Sequence, residues 1–280
     1  MRWRKTDSEY LKQVDFVAFD TETTGIWAPA HRIVEVGAVK FRLGETSVDR
    51  FQALVNPERE IPTEVIEIHG ITNGMVQSSE TIEPVLREFY DFCGPEAVLI
   101  AHNATFDISF VGCEADRTGL PLMENPILDT VDLYKQYRPG LDSYALQSLM
   151  RKFGLGAEQS HRAADDAGLV WRLFTMVADD FPVFSRRGEF KRAFTFYTMA
   201  QWRGDERPLP EEYRDVARAV EEGRALEIVY VANGQPPQSR IIWPKRIHNL
   251  RTVFYVTSFC EKARAERTFR LDRIQSFRLA

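Results

Sequence analysis

The chain has 280 residues, of which 44% are hydrophobic, and a formal net charge of −5. This length and composition allow one large globular domain or two smaller ones. No stretch approaches the roughly 20 apolar residues of a membrane helix, and the polar first residues lack the apolar core of a signal peptide. The three cysteines are widely spaced, which favours reduced thiols over a disulfide framework or a zinc knuckle. We therefore expect a cytoplasmic protein without a membrane partner.

Charge is distributed unevenly along the chain. Residues 1–180 contain 17 Lys and Arg against 29 Asp and Glu, whereas residues 181–280 contain 19 against 12. An acidic part joined to a basic part indicates two domains with different partners. The alternative is that two solvated surfaces differ by chance.

Hydrophobic patterning in the first 180 residues is typical of an α/β domain. Short apolar runs predict strands at residues 15–21, 33–40, 51–55, 97–101 and 127–128. Helical patterns predict helices at residues 81–92, 104–117, 143–153 and 163–178. The first three strands follow one another directly, so we expect an antiparallel start to the sheet. The later alternation of strands with helices predicts that the sheet is mixed.

Composition changes after residue 180. Residues 189–202 look helical, and the charged segment Arg203–Glu212 holds two prolines, as linkers and exposed turns do. A short helix is predicted at residues 211–222, and Asn233-Gly234 marks a tight turn. Strand-like runs cover residues 225–231, 240–243, 252–259, 267–271 and 274–279. Short strands with few helices predict a small β-barrel at residues 216–280, joined by a helical linker at 181–215 to a domain at 1–180.

Two acids stand near the end of the first predicted strand. Asp20 and Glu22 are two positions apart, so their side chains share one face of an extended strand. Neighbouring carboxylates repel and raise each other's pKa. A divalent cation relieves that repulsion, and Mg²⁺ or Mn²⁺ suits an all-carboxylate site. The alternative is a strand that runs out into solvent with two exposed acids.

Two further segments place acids at predicted helix starts. His102–Asp107 reads HNATFD and follows an apolar strand, and His161–Asp166 reads HRAADD. Together with DTETTG at residues 20–25, these segments resemble, in the same order, the motifs of the DEDDh exonuclease family. That family includes the proofreading subunit of bacterial DNA polymerase III, oligoribonuclease and RNase T. The resemblance spans about residues 13–180 and implies an RNase H-like fold.

The resemblance implies a role for each of five residues. Asp20, Glu22, Asp107 and Asp166 match the family's metal ligands, and His161 matches its general base. Two Mg²⁺ or Mn²⁺ ions between such carboxylates hold both the attacking and the leaving oxygen of an in-line displacement. An imidazole with an ordinary pKa near 6.5 takes a proton from water close to neutral pH. Asp165 is the neighbouring acid, and we favour Asp166 because its spacing from the histidine matches the family.

Substrate contacts are expected around the same motifs. The candidate residues are Thr21, Thr23, Gly25, Glu64, His69, Asn103 and Phe106. A glycine after the first carboxylates lets the backbone approach a nucleotide closely, and a phenylalanine stacks on bases without regard to sequence. Phe106 is equally well explained as a core residue. Asp129 also matches a position of the family, but a helix cap explains it as well.

The basic C-terminal part resembles a WYL domain, a small SH3-like β-barrel of bacterial regulators. The resemblance rests on Tyr230, Arg240, Pro244, the strand Phe254–Val256 and the segment Arg267–Ile274. The tripeptide that names the family is here Phe-Tyr-Val. Such domains are thought to bind effectors or nucleic acid, so Arg240, Arg267 and Arg273 are predicted to contact nucleic acid or a small effector. The alternative is that these charges only make the surface soluble.

The predicted function is therefore a metal-dependent 3′–5′ exonuclease that releases mononucleotides from the 3′ ends of single-stranded nucleic acid. Two alternatives stay open. The first alternative is a non-catalytic module that holds nucleic acid for regulation. The second is a proofreading subunit associated with a polymerase. No motif reports a contact to the 2′-hydroxyl, so the sequence does not decide between DNA and RNA.

Overall fold

A computed structural model describes residues 11–155, 161–180, 194–203, 209–231, 236–250 and 253–279. Its contacts group the chain into two units. The N-terminal unit contains residues 1–26 and 31–202, and the C-terminal unit contains residues 203–280 together with the short segment 27–30. In the part of the chain that is described, no helix is long and apolar enough to cross a membrane.

A five-stranded mixed sheet forms the centre of the N-terminal unit. Its strands are β1 (Phe16–Thr23), β2 (Ile33–Phe41), β3 (Asp49–Leu54), β4 (Val98–Ala101) and β5 (Ile127–Asp129). They lie in the order β3-β2-β1-β4-β5, with antiparallel pairing from β3 to β1 and parallel pairing from β1 to β5. The predicted antiparallel start and mixed sheet are confirmed.

Seven helices are described around this sheet. They are α1 (Thr63–His69), α2 (Asn73–Val76), α3 (Ile82–Cys93), α4 (Thr105–Thr118), α5 (Thr130–Tyr137), α6 (Leu146–Phe153) and α7 (Ala163–Asp180). The predicted helices correspond to α3, α4, α6 and α7. The remaining three have 4 to 8 residues, shorter than the windows in which helical periodicity is read. Asp129 caps α5 by accepting a hydrogen bond of 2.8 Å from the Val131 amide, as its position suggested.

The core of this unit joins β1 to the last helix. The Phe16 ring on β1 packs against Phe41 at 5.7 Å and Phe174 at 5.1 Å between ring centroids. All four residues of β4 are buried, as expected for a strand that is covered on both faces. This packing fixes α7, which begins just after His161, against β1 and β2.

The segment after α7 differs from the sequence prediction. Residues 189–193 lie outside the described part of the chain, and residues 194–198 are not helical. Tyr197 pairs instead with Ile127 at the edge of β5, and only Met199–Arg203 forms a short 3-10 helix. The helix predicted over 189–202 is therefore wrong for the described residues, because backbone pairing at a sheet edge replaced it.

The described residues of the C-terminal unit form one α-helix, α8 (Arg214–Glu221), and a second five-stranded sheet. Its strands are β6 (Leu226–Tyr230), β7 (Gln238–Leu250), β8 (Val253–Cys260), β9 (Ala265–Arg270) and β10 (Ile274–Leu279). They lie in the order β10-β6-β7-β8-β9, and all neighbouring pairs are antiparallel. Ile228, Ile242 and Val256 form part of its buried core. The turn predicted at Asn233-Gly234 lies outside the described residues.

The sheet departs from the predicted barrel in two ways. Strand β7 has 13 residues, far more than the predicted 240–243, because pairing continues past a register shift between Pro244 and Arg246. Strands β9 and β10 lie at opposite edges, and no pairing between them closes the sheet within the described residues. The antiparallel β-domain is confirmed, whereas its closure into a barrel is not observed.

Candidate active site

Strand β1 and helix α7 bring three carboxylates together. Asp20 and Glu22 point to the same face of β1, and Asp166 lies in the first turn of α7. One carboxylate oxygen from each lies within 4.8 Å of the others. Asp166 is 2% exposed, whereas Asp165 is exposed and stands outside the cluster. The two predicted positions on β1 and the predicted position on α7 therefore share one site.

Asp107 completes the acidic group from helix α4. It is buried in the first turn of this helix, and its Oδ1 atom accepts a hydrogen bond of 2.8 Å from the Thr21 hydroxyl. Burial raises the pKa of Asp107 to about 7, although the hydrogen bond from Thr21 lowers it. After burial, the charge of Asp107 is the main cause that raises the pKa of Asp20.

The carboxylates raise one another's pKa. Desolvation, followed by the charges of Asp107, Glu22 and Asp166, raises the pKa of Asp20 well above its ordinary value. Desolvation and the charge of Asp166 raise the pKa of Glu22 to about 9. At neutral pH such a site holds protons unless a cation replaces them. Its donors are carboxylate oxygens, which fit the hard cations Mg²⁺ and Mn²⁺.

Metal binding is expected to stabilise the protein more strongly at high pH. Because the folded-state pKa of Glu22 is raised from 4.5 to about 9, the contribution of this group to the stability of the metal-free protein is lost as pH rises through this interval. Mg²⁺ competes with protons for the same oxygens, so its stabilising effect increases over that interval. At one Mg²⁺ concentration, set to 100 times the Kd at pH 8.5, calorimetry should show the unfolding midpoint rise by roughly 5–10 °C near pH 8.5 and by much less near pH 5.5.

Protein in EDTA is the reference at each pH. A midpoint shift that is the same at both pH values, or larger at pH 5.5, would contradict proton-linked metal binding at these carboxylates.

His161 lies two positions before the first residue of helix α7. It is partly exposed, and its backbone has φ 50, in the left-handed region that non-glycine residues rarely occupy. Five positions separate it from Asp166, so the start of one helix carries both the predicted base and a predicted metal ligand.

The predicted substrate residues fall into two groups. Glu64 and Asn103 are exposed, and the Phe106 ring is partly exposed while it packs on Phe110 at 4.9 Å. Thr21 and His69 are buried, and Thr21 hydrogen-bonds to Asp107. The Nδ1 atom of His69 accepts a hydrogen bond from the Ile71 amide, and burial lowers the pKa of the imidazole.

The loop after β1 is held close to the acidic site. The Thr23 hydroxyl donates to the carbonyl of Gly25 at 2.7 Å. A side chain at position 25 would meet the His31 ring at 2.4 Å, and the backbone there has φ 154, so glycine is required. The next residue, Ile26, is 89% exposed, an unusual state for a large aliphatic side chain. The sequence analysis missed Ile26, because exposure of one apolar residue leaves no periodic signal.

The arginines of the C-terminal unit differ in their surroundings. Arg240 is partly buried and donates to the side chain of Gln238 at 3.0 Å, whereas Arg267 is exposed and Arg273 partly exposed. Arg270 forms an ion pair with Asp272. Within the same unit, the Tyr255 ring packs on Trp27 at 4.4 Å between centroids. The nucleic-acid contacts of Arg240, Arg267 and Arg273 remain a prediction.

The fold and the acidic site define a class, that of RNase H-like α/β nucleases with a carboxylate centre. Residues 17–174 match the model of the family described as Exonuclease, RNase T. The chain belongs to this exonuclease family. Residues 211–279 match the WYL domain model, as the sequence resemblance implied. The DEDDh exonucleases generally use divalent metal ions.

Two curated relatives are DNA polymerases III of the PolC type. The protein from Halalkalibacterium halodurans is 39% identical over 167 residues, and that from Clostridium perfringens is 40% identical over 153 residues. These segments cover 58% and 55% of this chain but only 12% and 10% of the polymerases. The nuclease domain of 3′hExo, a DEDDh family member bound to rAMP, superposes with a TM-score of 0.54 at 20% identity, covering 62% of this chain and 95% of that one. This last likeness concerns the fold.

Proposed function

We propose that the protein is a metal-dependent 3′–5′ exonuclease that releases mononucleotides from the 3′ ends of single-stranded nucleic acid. The observation that carries the proposal is the convergence of Asp20, Glu22 and Asp166 within 4.8 Å, with Asp107 hydrogen-bonded to Thr21 on the same strand. Bound as a pair, Mg²⁺ or Mn²⁺ ions would supply charge stabilisation for the oxygens of the phosphodiester. The four carboxylates would hold them.

The other residues of the site have roles that their positions support. His161 would take a proton from the attacking water, since it is partly exposed and precedes the helix of Asp166. Phe106 and Ile26 offer apolar surface for the terminal base and sugar. Gly25 would allow backbone to approach the nucleotide, and Glu64 and Asn103 are exposed for polar contacts.

A side-by-side assay tests the proposal. Single-stranded DNA, duplex DNA, RNA and short oligoribonucleotides, each labelled at the 5′ end, are incubated with Mg²⁺ or EDTA. We expect a ladder that shortens one nucleotide at a time from the 3′ end on single strands, and only with Mg²⁺. Binding without any cleavage would favour the alternative of a non-catalytic module.

A second candidate function is proofreading for a DNA polymerase. The observation that favours it is the likeness of 39% identity to a PolC-type DNA polymerase III. A proofreading enzyme removes a mismatched 3′ nucleotide from a primer–template duplex faster than a matched one. Comparing these two duplexes separates this candidate from an exonuclease that acts on free single strands.

The basic C-terminal unit is proposed to hold the strand behind its 3′ end. Residues 240–280 contain 10 Lys and Arg against 3 Asp and Glu, whereas the first 180 residues are acidic. Contacts with phosphates release counterions, so affinity falls as salt increases. We expect the double variant Arg267→Ala/Arg273→Ala to bind long single strands more weakly and to reduce the slope of log affinity against log salt by about 2.

Arg278→Ala is the matched control, because Arg278 is already paired with Glu227 at 2.5 Å. Dinucleotide cleavage should keep its maximal rate in all variants. If the salt slope of the double variant equals that of the wild type, capture by these arginines is excluded. A rate change on all substrate lengths alike would favour a small effector as the ligand.

A further inference from the structure

A buried glutamate that is absent from the predicted site holds the start of helix α7. Glu35 on β2 is 0% exposed. Its carboxylate accepts hydrogen bonds from Nε and Nη2 of Arg162 and, at 2.8 Å, from the backbone amide of Ala163. Gln52 on β3 adds a fourth donor at 2.9 Å. The carboxylate thus caps the helix through Ala163 and pairs with the arginine in front of it.

The first turn of α7 packs so closely on β2 that it cannot move further towards the sheet. A Cβ atom on Gly37 of β2 would lie 2.1 Å from the carbonyl carbon of Ala163 and equally close to the amide of Ala164. Only glycine permits the first turn of α7 to approach β2 so closely. The contacts of Glu35 and Gly37 therefore set the position of this turn against the sheet that carries Asp20 and Glu22.

His161 adopts a backbone conformation that needs support from its surroundings. Its φ of 50 is unfavourable for a residue with a Cβ atom, and such conformations persist where neighbouring contacts determine them. The next residue is Arg162, whose side chain is 32% exposed and paired with the fully buried Glu35. The pair fixes the chain on the C-terminal side of His161.

We propose that the Glu35–Arg162 ion pair is a positioning device for hydrolysis, which acts by holding His161 at the metal-binding carboxylates. This inference rests on the proposed function, because it requires His161 to serve as the base. Neither residue needs to touch the substrate. A base that is displaced by about 1 Å loses on the order of 10²-fold in rate.

A double-mutant cycle tests the inference. Single-turnover rates and KM on a single strand with Mg²⁺ are measured for wild type, Arg162→Ala, His161→Ala and the double variant. We expect Arg162→Ala to lower the rate roughly 10- to 100-fold with little change in KM, and to have no further effect in the His161→Ala background. Arg162→Lys should recover part of the rate. Arg42→Ala, which breaks the exposed pair of Arg42 with Asp15, is the control and should keep the wild-type rate.

Two outcomes overturn the inference. An equal loss in both backgrounds would show that Arg162 acts independently of His161, and an unchanged rate in Arg162→Ala would show that the pair is not needed. If Arg162→Ala does not fold, as judged by thermal unfolding, Glu35→Gln replaces it under the same criteria, because the amide oxygen can still accept from Ala163. A wild-type protein without any cleavage would instead contradict the proposed function itself.

Discussion

Asp20→Ala and Asp107→Ala are each expected to lower Mg²⁺-dependent cleavage by about a thousandfold or more, because loss of a ligand removes several kcal/mol of charge stabilisation at the metal site. Both variants should stay folded. In the metal-free protein each change removes one of the repelling carboxylates, so the unfolding midpoint should be unchanged or higher. Cleavage assays and thermal unfolding in EDTA measure the two effects.

Asp165→Ala is the control for these variants. Asp165 is the exposed neighbour of Asp166 and stands outside the acidic cluster, so its loss should leave cleavage close to wild type. Substantial activity in purified Asp20→Ala and Asp107→Ala, free of contaminating nuclease, would disprove the assignment of the metal site.

His161→Ala should have the second-largest effect. Loss of a general base typically lowers the chemical step by about 10²–10⁴-fold. Metal binding should persist, since the carboxylate cluster of Asp20, Glu22 and Asp166 is intact in this variant. The acidic limb of the pH–rate profile should change as well, because the wild-type base must be neutral to accept a proton.

Single-turnover kinetics with excess enzyme isolate the chemical step from product release. His69→Ala is a useful comparison, since His69 is 3% exposed, whereas His161 is partly exposed. If His161→Ala retains the wild-type single-turnover rate near neutral pH, another group is the base.

The acidic site was accessible to prediction because short segments encode it. The alternation of a strand places Asp20 and Glu22 on one face whatever the surrounding fold. Asp107 and Asp166 each end a recognisable motif and lie in the first turn of a helix. The antiparallel start of the sheet follows from the three consecutive strands, whereas the order of elements does not specify the parallel pairing of β1 with β4.

Features that depend on contacts distant in the sequence were not accessible. Glu35 lies in the run at 33–40 that predicts a strand, but the sequence does not indicate that β2 is buried on both faces or that its glutamate pairs with an arginine 127 positions away. A single acid within an aliphatic run of a central strand was the available signal. The length of β7 and the open edges of the C-terminal sheet likewise depend on pairing partners, which periodicity does not specify.

The most direct test of the central claim is product analysis with a single strand that carries its label on the 3′-terminal nucleotide. With wild-type protein and Mg²⁺, the account predicts that the label is released at once as a mononucleotide. EDTA should abolish this release, and Asp20→Ala should release almost no label even with Mg²⁺. Release of longer labelled fragments, or equal release in EDTA, would contradict a metal-dependent 3′–5′ exonuclease.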